Sequence, residues 1–470
     1  MSNVRIELNR HTGQSLIEQI RLGIGAAIRD GQLYAGARMP SWRDLAAQLG
    51  VARGTVRAAY ERLIDEQLLV ARGAAGTYVC EHLPVNKATS EPAGLRGPLP
   101  AFFVQPFGNP PLPFQIGVPA QDAFPHTLWR RTSISAARQA AHSPANYPDP
   151  RGEQSLRTEI AAYLAVARGV VCSPEQILVT SGYTGALGLA LHALPLRNRE
   201  AWFEEPGFPL ARIALTKAGF RVMPIEVDEQ GLKVDQGLSQ VPQAALAVVT
   251  AGQQAPLGMP LSLARRHALL KWAACSDSWI IEDDYLSELQ LAGKAAPALA
   301  SLDNEGRVIH IGTFSKTISP ALRLGFMVVP PALVNQFVDT AAVLAPAPAM
   351  ATQMAVTAFM KGGHYLRHLR RMKRLYAARL ELLRKALGQQ HAQDAMAGLA
   401  LLLPLDNGQD DQHIAQQALA LGLAPAPLSV WYAEAEHVRP GLLLGIPNIL
   451  EPDVEQACQH LLQLIDNAKR

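Results

Sequence analysis

A lysine closes the apolar run Arg307-Val-Ile-His-Ile-Gly-Thr313-Phe-Ser315-Lys316, and an arginine stands seven residues beyond it at Arg323. A lysine amine at the end of a buried strand can condense with an aldehyde as a Schiff base. The hydroxyls of Thr313 and Ser315, with the Arg323 guanidinium, are donors of the kind that gather around a phosphate. Upstream, Glu282-Asp283-Asp284-Tyr285 ends another apolar run. A carboxylate such as Asp283 beside a pyridine nitrogen keeps it protonated and makes the ring an electron sink. The Tyr285 hydroxyl can bond a phenolic ring oxygen. Thr180-Ser181-Gly182-Tyr183-Thr184 follows a third run and starts a helical pattern, so its amides form a phosphate cradle. Phe208, in Glu205-Pro-Gly-Phe208, can stack on a ring face.

Each signal has an ordinary explanation when taken singly. A strand-end lysine is commonly solvated, a Ser-Gly pair caps a helix, and paired aspartates sit in loops. Their order, each at an expected strand end, describes one site for a phosphorylated pyridine aldehyde.

The elements that must position these residues form an α/β domain. Apolar runs at 176–182, 201–207, 246–252, 278–285 and 307–316 alternate with helical stretches from about residue 114 onward. That alternation predicts a parallel sheet with ligands at the carboxyl ends of its strands. The basic stretch 361–386 predicts a long helix, read as a solvated connector rather than a second nucleic-acid surface. Beyond it the pattern predicts a smaller α/β subdomain.

The first 80 residues differ. Ser15–Asp30 places Leu16, Ile17, Ile20, Ile24 and Ile28 on one helical face, with Ser15 as cap and Gly31 as stop. Ser41 precedes a second helix ending at Gly50, residues 51–54 form a turn, and Thr55–Gln67 form a third helix. Leu68–Val79 reads as strand, Gly-rich turn and strand. Three helices and a hairpin make a winged helix-turn-helix, mostly α with a β-hairpin wing. This segment carries ten arginines against seven acids, which matches the whole formal excess of +3 and fits a nucleic-acid-binding module. Arg38, Arg43, Arg53 and Arg57 surround the second helix and the start of the third, where base edges in a major groove are read. Ser41 and Thr55 can bond phosphates, and the wing tip at Arg72-Gly73 is small enough to approach a minor groove.

The chain has 470 residues, 49% hydrophobic and 18% charged, ordinary for a globular protein of two or three domains. There is no apolar run long enough to span a membrane and no signal-type start. Four scattered cysteines imply neither a disulfide framework nor a metal site, which points to the cytoplasm. Eight prolines in residues 81–113 mark a linker, whose second half is expected to lie against the large domain.

From Gly36-Ala-Arg-Met-Pro-Ser-Trp-Arg43 through Leu49-Gly-Val-Ala-Arg-Gly-Thr-Val56 to Tyr60 and the wing, the sequence resembles the GntR family of bacterial regulators. That resemblance implies DNA contacts at Arg43, Arg53, Thr55, Arg57 and the Arg72-Gly73 pair. The remainder is similar to fold-type I aminotransferases, which bind pyridoxal 5'-phosphate (PLP). Further matches are Phe124-Pro125 with Trp129, Tyr147-Pro-Asp-Pro-Arg-Gly152, Glu205-Pro-Gly-Phe208, Glu282-Asp-Asp-Tyr285 and Thr313-Phe-Ser-Lys316. The combination resembles the MocR subgroup of GntR regulators over essentially the whole chain. It implies a bacterial, cytoplasmic homodimer that binds promoter DNA and responds to PLP, an amine or an amino acid. The expected boundaries are 1–80 for the DNA-binding domain, 81–113 for the linker and 114–470 for the aminotransferase-like domain. Within the last, a large subdomain covers about 130–360 and a small one 361–470.

Two departures bear on activity. Aminotransferases carry Asn before the proline of the middle-strand loop, where this chain has Ala255 in Gln253-Gln-Ala-Pro-Leu-Gly258. They also carry a C-terminal arginine for a substrate carboxylate, where Leu443 stands in Gly441-Leu-Leu-Leu-Gly-Ile-Pro-Asn448. Arg439 lies nearby, and Arg212 is either an effector-binding cation or a helix-surface charge. The chain is therefore expected to regulate rather than to turn over substrate, with residual transamination at most. The alternatives weighed are a working aminotransferase that also binds DNA and a regulator whose second domain is only a dimerisation scaffold.

Overall fold

Helix α1 (Leu16–Arg29) begins where the Ser15 hydroxyl accepts the Glu18 amide, and it buries Ile20, Ile24 and Ile28. The computed structural model describes residues 8–9, 14–81, 102, 110–142, 147–196, 198–291, 293, 295–388 and 392–468. The chain divides into two compact units, residues 1–97 and 98–470.

In the first unit, α2 (Trp42–Leu49) starts where Ser41 accepts the Asp44 amide and stops at Gly50, whose φ of 61° suits a residue without a side chain. Helix α3 spans Arg53–Asp65. It begins two residues before the expected Thr55, so Arg53 and Gly54 belong to the helix and not to the preceding turn. Thr55 does not cap it: the Thr55 amide donates to the Ala52 carbonyl, and Ala52 is the cap residue. Strands β1 (Leu69–Ala71) and β2 (Thr77–Val79) pair antiparallel around the turn Gly73–Ala75, which makes the wing. Ile20, Ile24, Leu45, Val56, Leu63, Leu69 and Val79 form the core of this unit.

The second unit is built on one eight-stranded sheet. Its strands are β3 (Ile177–Thr180), β4 (Glu200–Glu205), β5 (Arg221–Asp228), β6 (Gly231–Leu232), β7 (Leu246–Val249), β8 (Trp279–Asp284), β9 (Val308–Thr313) and β10 (Gly325–Val328), in the order β3-β10-β9-β8-β7-β4-β5-β6. The expected all-parallel sheet is corrected to a mixed one. Strand β10 runs antiparallel to both β3 and β9, and β6 runs antiparallel to β5. Strands β5 and β10 were not among the runs read from sequence. Strand β5 has no continuous apolar run, contains Pro224, and is only half-buried along its length. Strand β10 is short and begins two residues after Arg323.

Helices flank the sheet: α4 (His126–Ala141), α5 (Gln154–Ala167), α6 (Tyr183–Ala193), α7 (Pro209–Lys217), α8 (Val234–Gln240), α9 (Leu263–Cys275), α10 (Val334–Leu344) and α11 (Met350–Lys361). The long α12 (His364–Leu387) buries Tyr365, His368, Leu369, Met372, Tyr376, Leu380 and Leu383, while Arg367, Arg370, Arg371 and Arg374 are exposed. Its apolar stripe fixes it to the body and its basic face is solvated. The small subdomain carries a four-stranded antiparallel sheet, β11 (Gln393–Ala395), β12 (Ala400–Pro404), β13 (Ala426–Pro427) and β14 (Gly441–Gly445), in the order β11-β12-β14-β13. Helices α13 (Asp411–Ala420) and α14 (Val454–Asn467) complete it.

Most of the expected linker, 81–113, lies outside the described residues. Where its end is described, it packs on the small subdomain: the Ala424 amide donates to the Pro113 carbonyl, and the next residue, Phe114, is fully buried and bridges to Gly445. No helix among the described residues is long and apolar enough to cross a membrane.

Candidate functional site

The carboxyl ends of β4, β7, β8 and β9 open onto a cavity of about 340 Å³ lined by Asp283, Tyr285, Lys316, Tyr183, Phe208, Thr313, Ser315 and Arg323. Alternation along β8 assigns its acids to different tasks. Glu282 accepts the Leu299 and Ala300 amides and contacts His310, and Asp284 pairs with Arg168 at 2.6 Å. Asp283 between them lines the cavity.

Burial, then the charges of Asp284 and Glu204, push the Asp283 carboxyl well above its ordinary range, with Lys316 opposing. Burial lowers the Lys316 amine below the usual lysine range, opposed by Asp283. The neutral amine favoured by that shift is the nucleophilic form. Lys316 Nζ donates to the Gly117 carbonyl at 3.0 Å. Gly117 has φ of 80°, and a Cβ there would fall 2.9 Å from Nζ. The left-handed backbone there favours glycine, and a side chain would oblige the lysine amine to shift.

Among the described residues, Asp283 Oδ1 and the Tyr285 hydroxyl are buried without a hydrogen-bond partner. Buried polar atoms are almost always satisfied. A protonated pyridine nitrogen and a phenolic oxygen would satisfy these two, so the residues present fit a PLP ring. Burial is also the main cause that raises the Tyr285 and Tyr183 hydroxyls.

At the opposite end of the cavity Arg323 donates to the Ser181 carbonyl at 3.2 Å and to Thr184 Oγ1 at 2.8 Å. Thr313 Oγ1 donates to Ser315 Oγ at 3.0 Å. Gly182 caps α6 at φ of 80° with no side-chain cap, which leaves the first amides of α6 for an anion. Ser181 supplies its carbonyl here, and its hydroxyl lies where a side chain at Gly185 would collide with it. Thr184 lines the cavity and was not singled out from sequence; its signal was a hydroxyl in the first turn of the helix.

The outer wall joins both subdomains. Phe208 lies 5.8 Å from Trp431 and 6.1 Å from Tyr183. Trp431 comes from the small subdomain and had no motif to flag it. Ala255 lines the cavity beside the cis Ala255–Pro256 bond and offers no side-chain donor. Glu204, also unforeseen, shapes this loop by accepting the Thr250 amide at 3.1 Å and the Gln254 side-chain amide at 3.4 Å. Thr250 Oγ1 in turn accepts the Ala255 amide at 3.0 Å. Burial raises the Glu204 carboxyl to about 7.

Arg212 does not line the cavity. Its guanidinium faces the Trp431 and Val430 carbonyls, each at 3.4 Å. Leu443 is fully buried in β14 opposite Leu402 and Ala426. Arg439 precedes β14 and lines a separate groove with Glu226 and Tyr432.

In the first unit Arg38, Ser41, Arg43, Arg53, Arg57, Arg72 and Gly73 are exposed and Thr55 is half-buried. Ser41 is engaged with Asp44, Arg57 with Glu61 at 2.9 Å, and Arg72 with Glu81 at 2.8 Å. Arg43 lies over the Trp42 ring. Among the described residues Arg38, Arg43 and Arg53 form no ion pair, and Arg53 opens a helix whose start has no side-chain cap.

The sequence pattern described as "Bacterial regulatory proteins, gntR family" matches residues 16–79, and that of "Aminotransferase class I and II" matches residues 112–438. The probable rhizopine catabolism regulatory protein MocR of Rhizobium meliloti is 33% identical over 458 residues, covering 94% of this chain and 92% of that protein. The HTH-type transcriptional regulator TauR of Rhodobacter capsulatus is 33% identical over 445 residues, covering 90% of this chain and 91% of its own length. The kynurenine aminotransferase of Pyrococcus horikoshii superposes with a TM-score of 0.68 at 24% identity, over 76% of this chain and 91% of that one, a likeness of fold.

Proposed function

The chain belongs to the GntR family of bacterial regulators, in the MocR subgroup that joins a helix-turn-helix to an aminotransferase class I and II domain, and on that premise we propose that its promoter binding is governed by PLP held on Lys316. The observation that carries this reading is the meeting of the Lys316 amine with two unsatisfied buried groups, Asp283 Oδ1 and the Tyr285 hydroxyl, around one cavity. Lys316 supplies the amine that bonds the aldehyde, Asp283 holds a proton at the pyridine nitrogen, and Tyr285 faces the phenolic oxygen. Phe208 covers the ring, while Thr313, Ser315, Arg323, Thr184 and the first amides of α6 take the phosphate. Bound there, PLP supplies an electrophilic carbon and an electron-withdrawing ring.

In this reading the DNA contacts come from Arg38, Ser41, Arg43, Arg53, Thr55, Arg57 and the Arg72-Gly73 tip, used twice in a homodimer on paired half-sites. A small effector, PLP itself or an amine-bearing compound, shifts the population of DNA-competent dimers. A working aminotransferase is the less favoured reading, because Ala255 and Leu443 remove groups that fix a substrate in register. The test is borohydride reduction of purified protein, followed by peptide mass analysis and promoter-fragment binding before and after cofactor removal. A reduced PLP adduct on Lys316 and a change of several-fold in DNA affinity are expected. An unmodified Lys316 refutes the cofactor assignment.

A further inference from the structure

Resting on the assignment of the cofactor to Lys316, we propose that the ligand this cavity receives is a primary amine with an apolar tail and no carboxylate. The lining includes the apolar side chains of Ile116, Val118, Phe208, Leu210, Met396 and Trp431. Among the described residues that line the cavity only Lys316 and Arg323 are cationic. Lys316 is the nitrogen to be replaced, and Arg323 is engaged by the Ser181 carbonyl and Thr184 Oγ1 at the phosphate end. The neighbouring Arg212 is turned onto the Val430 and Trp431 carbonyls. Strand β14 is uncharged and buried throughout, from Gly441 to Gly445.

A carboxylate entering this space is stripped of water against an apolar wall, with no uncommitted cation among the described lining residues, which is costly. An amine escapes that cost. With the cofactor held on Lys316, the amine nitrogen would displace Nζ from the aldehyde-derived carbon, and its two protons would pass to Nζ, which would leave as a free amine. One nitrogen replaces another, so no water, oxidant or reductant is consumed. The released lysine amine has the Gly117 carbonyl to donate to. The tail then packs against Phe208 and Trp431, whose touching rings, with centroids 5.8 Å apart, stand on loops from the two subdomains.

The experiment compares phenethylamine with L-phenylalanine, which share a tail and differ only in the carboxylate. Both are titrated into full-length, cofactor-loaded protein by calorimetry, with the cofactor absorption spectrum recorded in parallel. Phenethylamine is expected to bind at least about tenfold more tightly, the equivalent of one unpaired buried charge. Leu210→Arg, which adds a cation at a half-buried position of the wall, is expected to narrow or invert that ratio. Trp431→Ala is expected to weaken phenethylamine several-fold. Equal or tighter binding of phenylalanine, failure of phenethylamine to bind, or a ratio unmoved by Leu210→Arg overturns the ligand class. If Lys316 carries the borohydride-reducible adduct in those cases, the cofactor assignment survives. If Lys316 carries no adduct, both fall.

Discussion

Arg212 Nη1 lies 3.4 Å from the carbonyl oxygen of Trp431, and the Gly207 amide donates to that same oxygen at 3.0 Å. The loop after β4 thereby grips the small-subdomain loop that carries a ring of the cavity wall. Glu205 adds to the grip by accepting the Ala433 and Glu434 amides at 2.7 and 3.0 Å. Phe208 and Trp431 thus stand on two loops fastened to each other, and a ligand lying against both rings touches both subdomains.

Arg212→Ala removes two long, weak donor contacts, a loss of about 1 kcal/mol in folding stability. If Arg212 is a fastener, ligand affinity falls several-fold for amines and amino acids alike, and Lys316 keeps its cofactor. Calorimetry on matched amines and amino acids checks this. A loss confined to acidic ligands would show that Arg212 binds an effector carboxylate instead.

Gly117→Ala places a Cβ within 2.9 Å of Lys316 Nζ at a φ of 80°. Strain of about 1–2 kcal/mol is expected from the left-handed backbone alone, and the lysine must also shift. The expected outcome is a lower fraction of borohydride-reducible Lys316 and faster cofactor loss on dialysis, with intact secondary structure. Lys316→Ala abolishes the adduct altogether, and a mutant that still yields an adduct elsewhere would reassign the reactive amine.

Strand ends were the legible part of the site. Asp283, Tyr285, Phe208, Thr313, Ser315, Lys316 and Arg323 all line the cavity, because a residue at the carboxyl end of a buried strand has few other places to project. Gly117 was not legible: it meets Lys316 across 199 residues of chain, and nothing periodic connects them. Trp431 was hidden for the same reason, since docking between subdomains leaves no local pattern, and Glu204 because its partners Thr250 and Gln254 come from a neighbouring strand's loop. Of the fold, the helix-turn-helix and the five apolar runs could be read directly. Strand β5 could not, because Pro224 and Glu226 interrupt its run. The start of α3 was displaced because Gly54 was read as part of the turn, whereas the helix begins at Arg53 after Ala52.

On the DNA-binding unit, Arg53→Ala and Arg43→Ala are each expected to weaken promoter binding by roughly 1–3 kcal/mol if they read bases. Arg57→Ala and Arg72→Ala should cost less, because Glu61 and Glu81 already engage those side chains and must be displaced on binding. Fluorescence anisotropy with a promoter fragment and a scrambled one, at fixed salt, measures both affinity and specificity. Normal binding by both Arg43→Ala and Arg53→Ala would move the recognition surface elsewhere.

Glu204 gives the chain a pH dependence whose sign can be worked out. Burial raises its carboxyl from 4.5 to about 7 in the folded protein. Below pH 4.5 both folded and unfolded chains hold the proton, and the contribution of this group to stability is complete. Between 4.5 and about 7 the unfolded chain ionises while the folded chain keeps its proton, so stability falls as pH rises. Above about 7 the loss is complete, at up to about 3 kcal/mol. Glu204→Gln removes the titration while keeping a side chain of the same shape beside Thr250. The native protein is therefore expected to lose more thermal stability than the variant between pH 5 and pH 8. Glu288, also raised by burial to about 7, titrates in both proteins and cancels in the difference. Parallel melting curves across that range would mean that Glu204 is ionised in the folded state, and the acid beneath the Ala255 loop would then need a counter-charge that this reading does not supply.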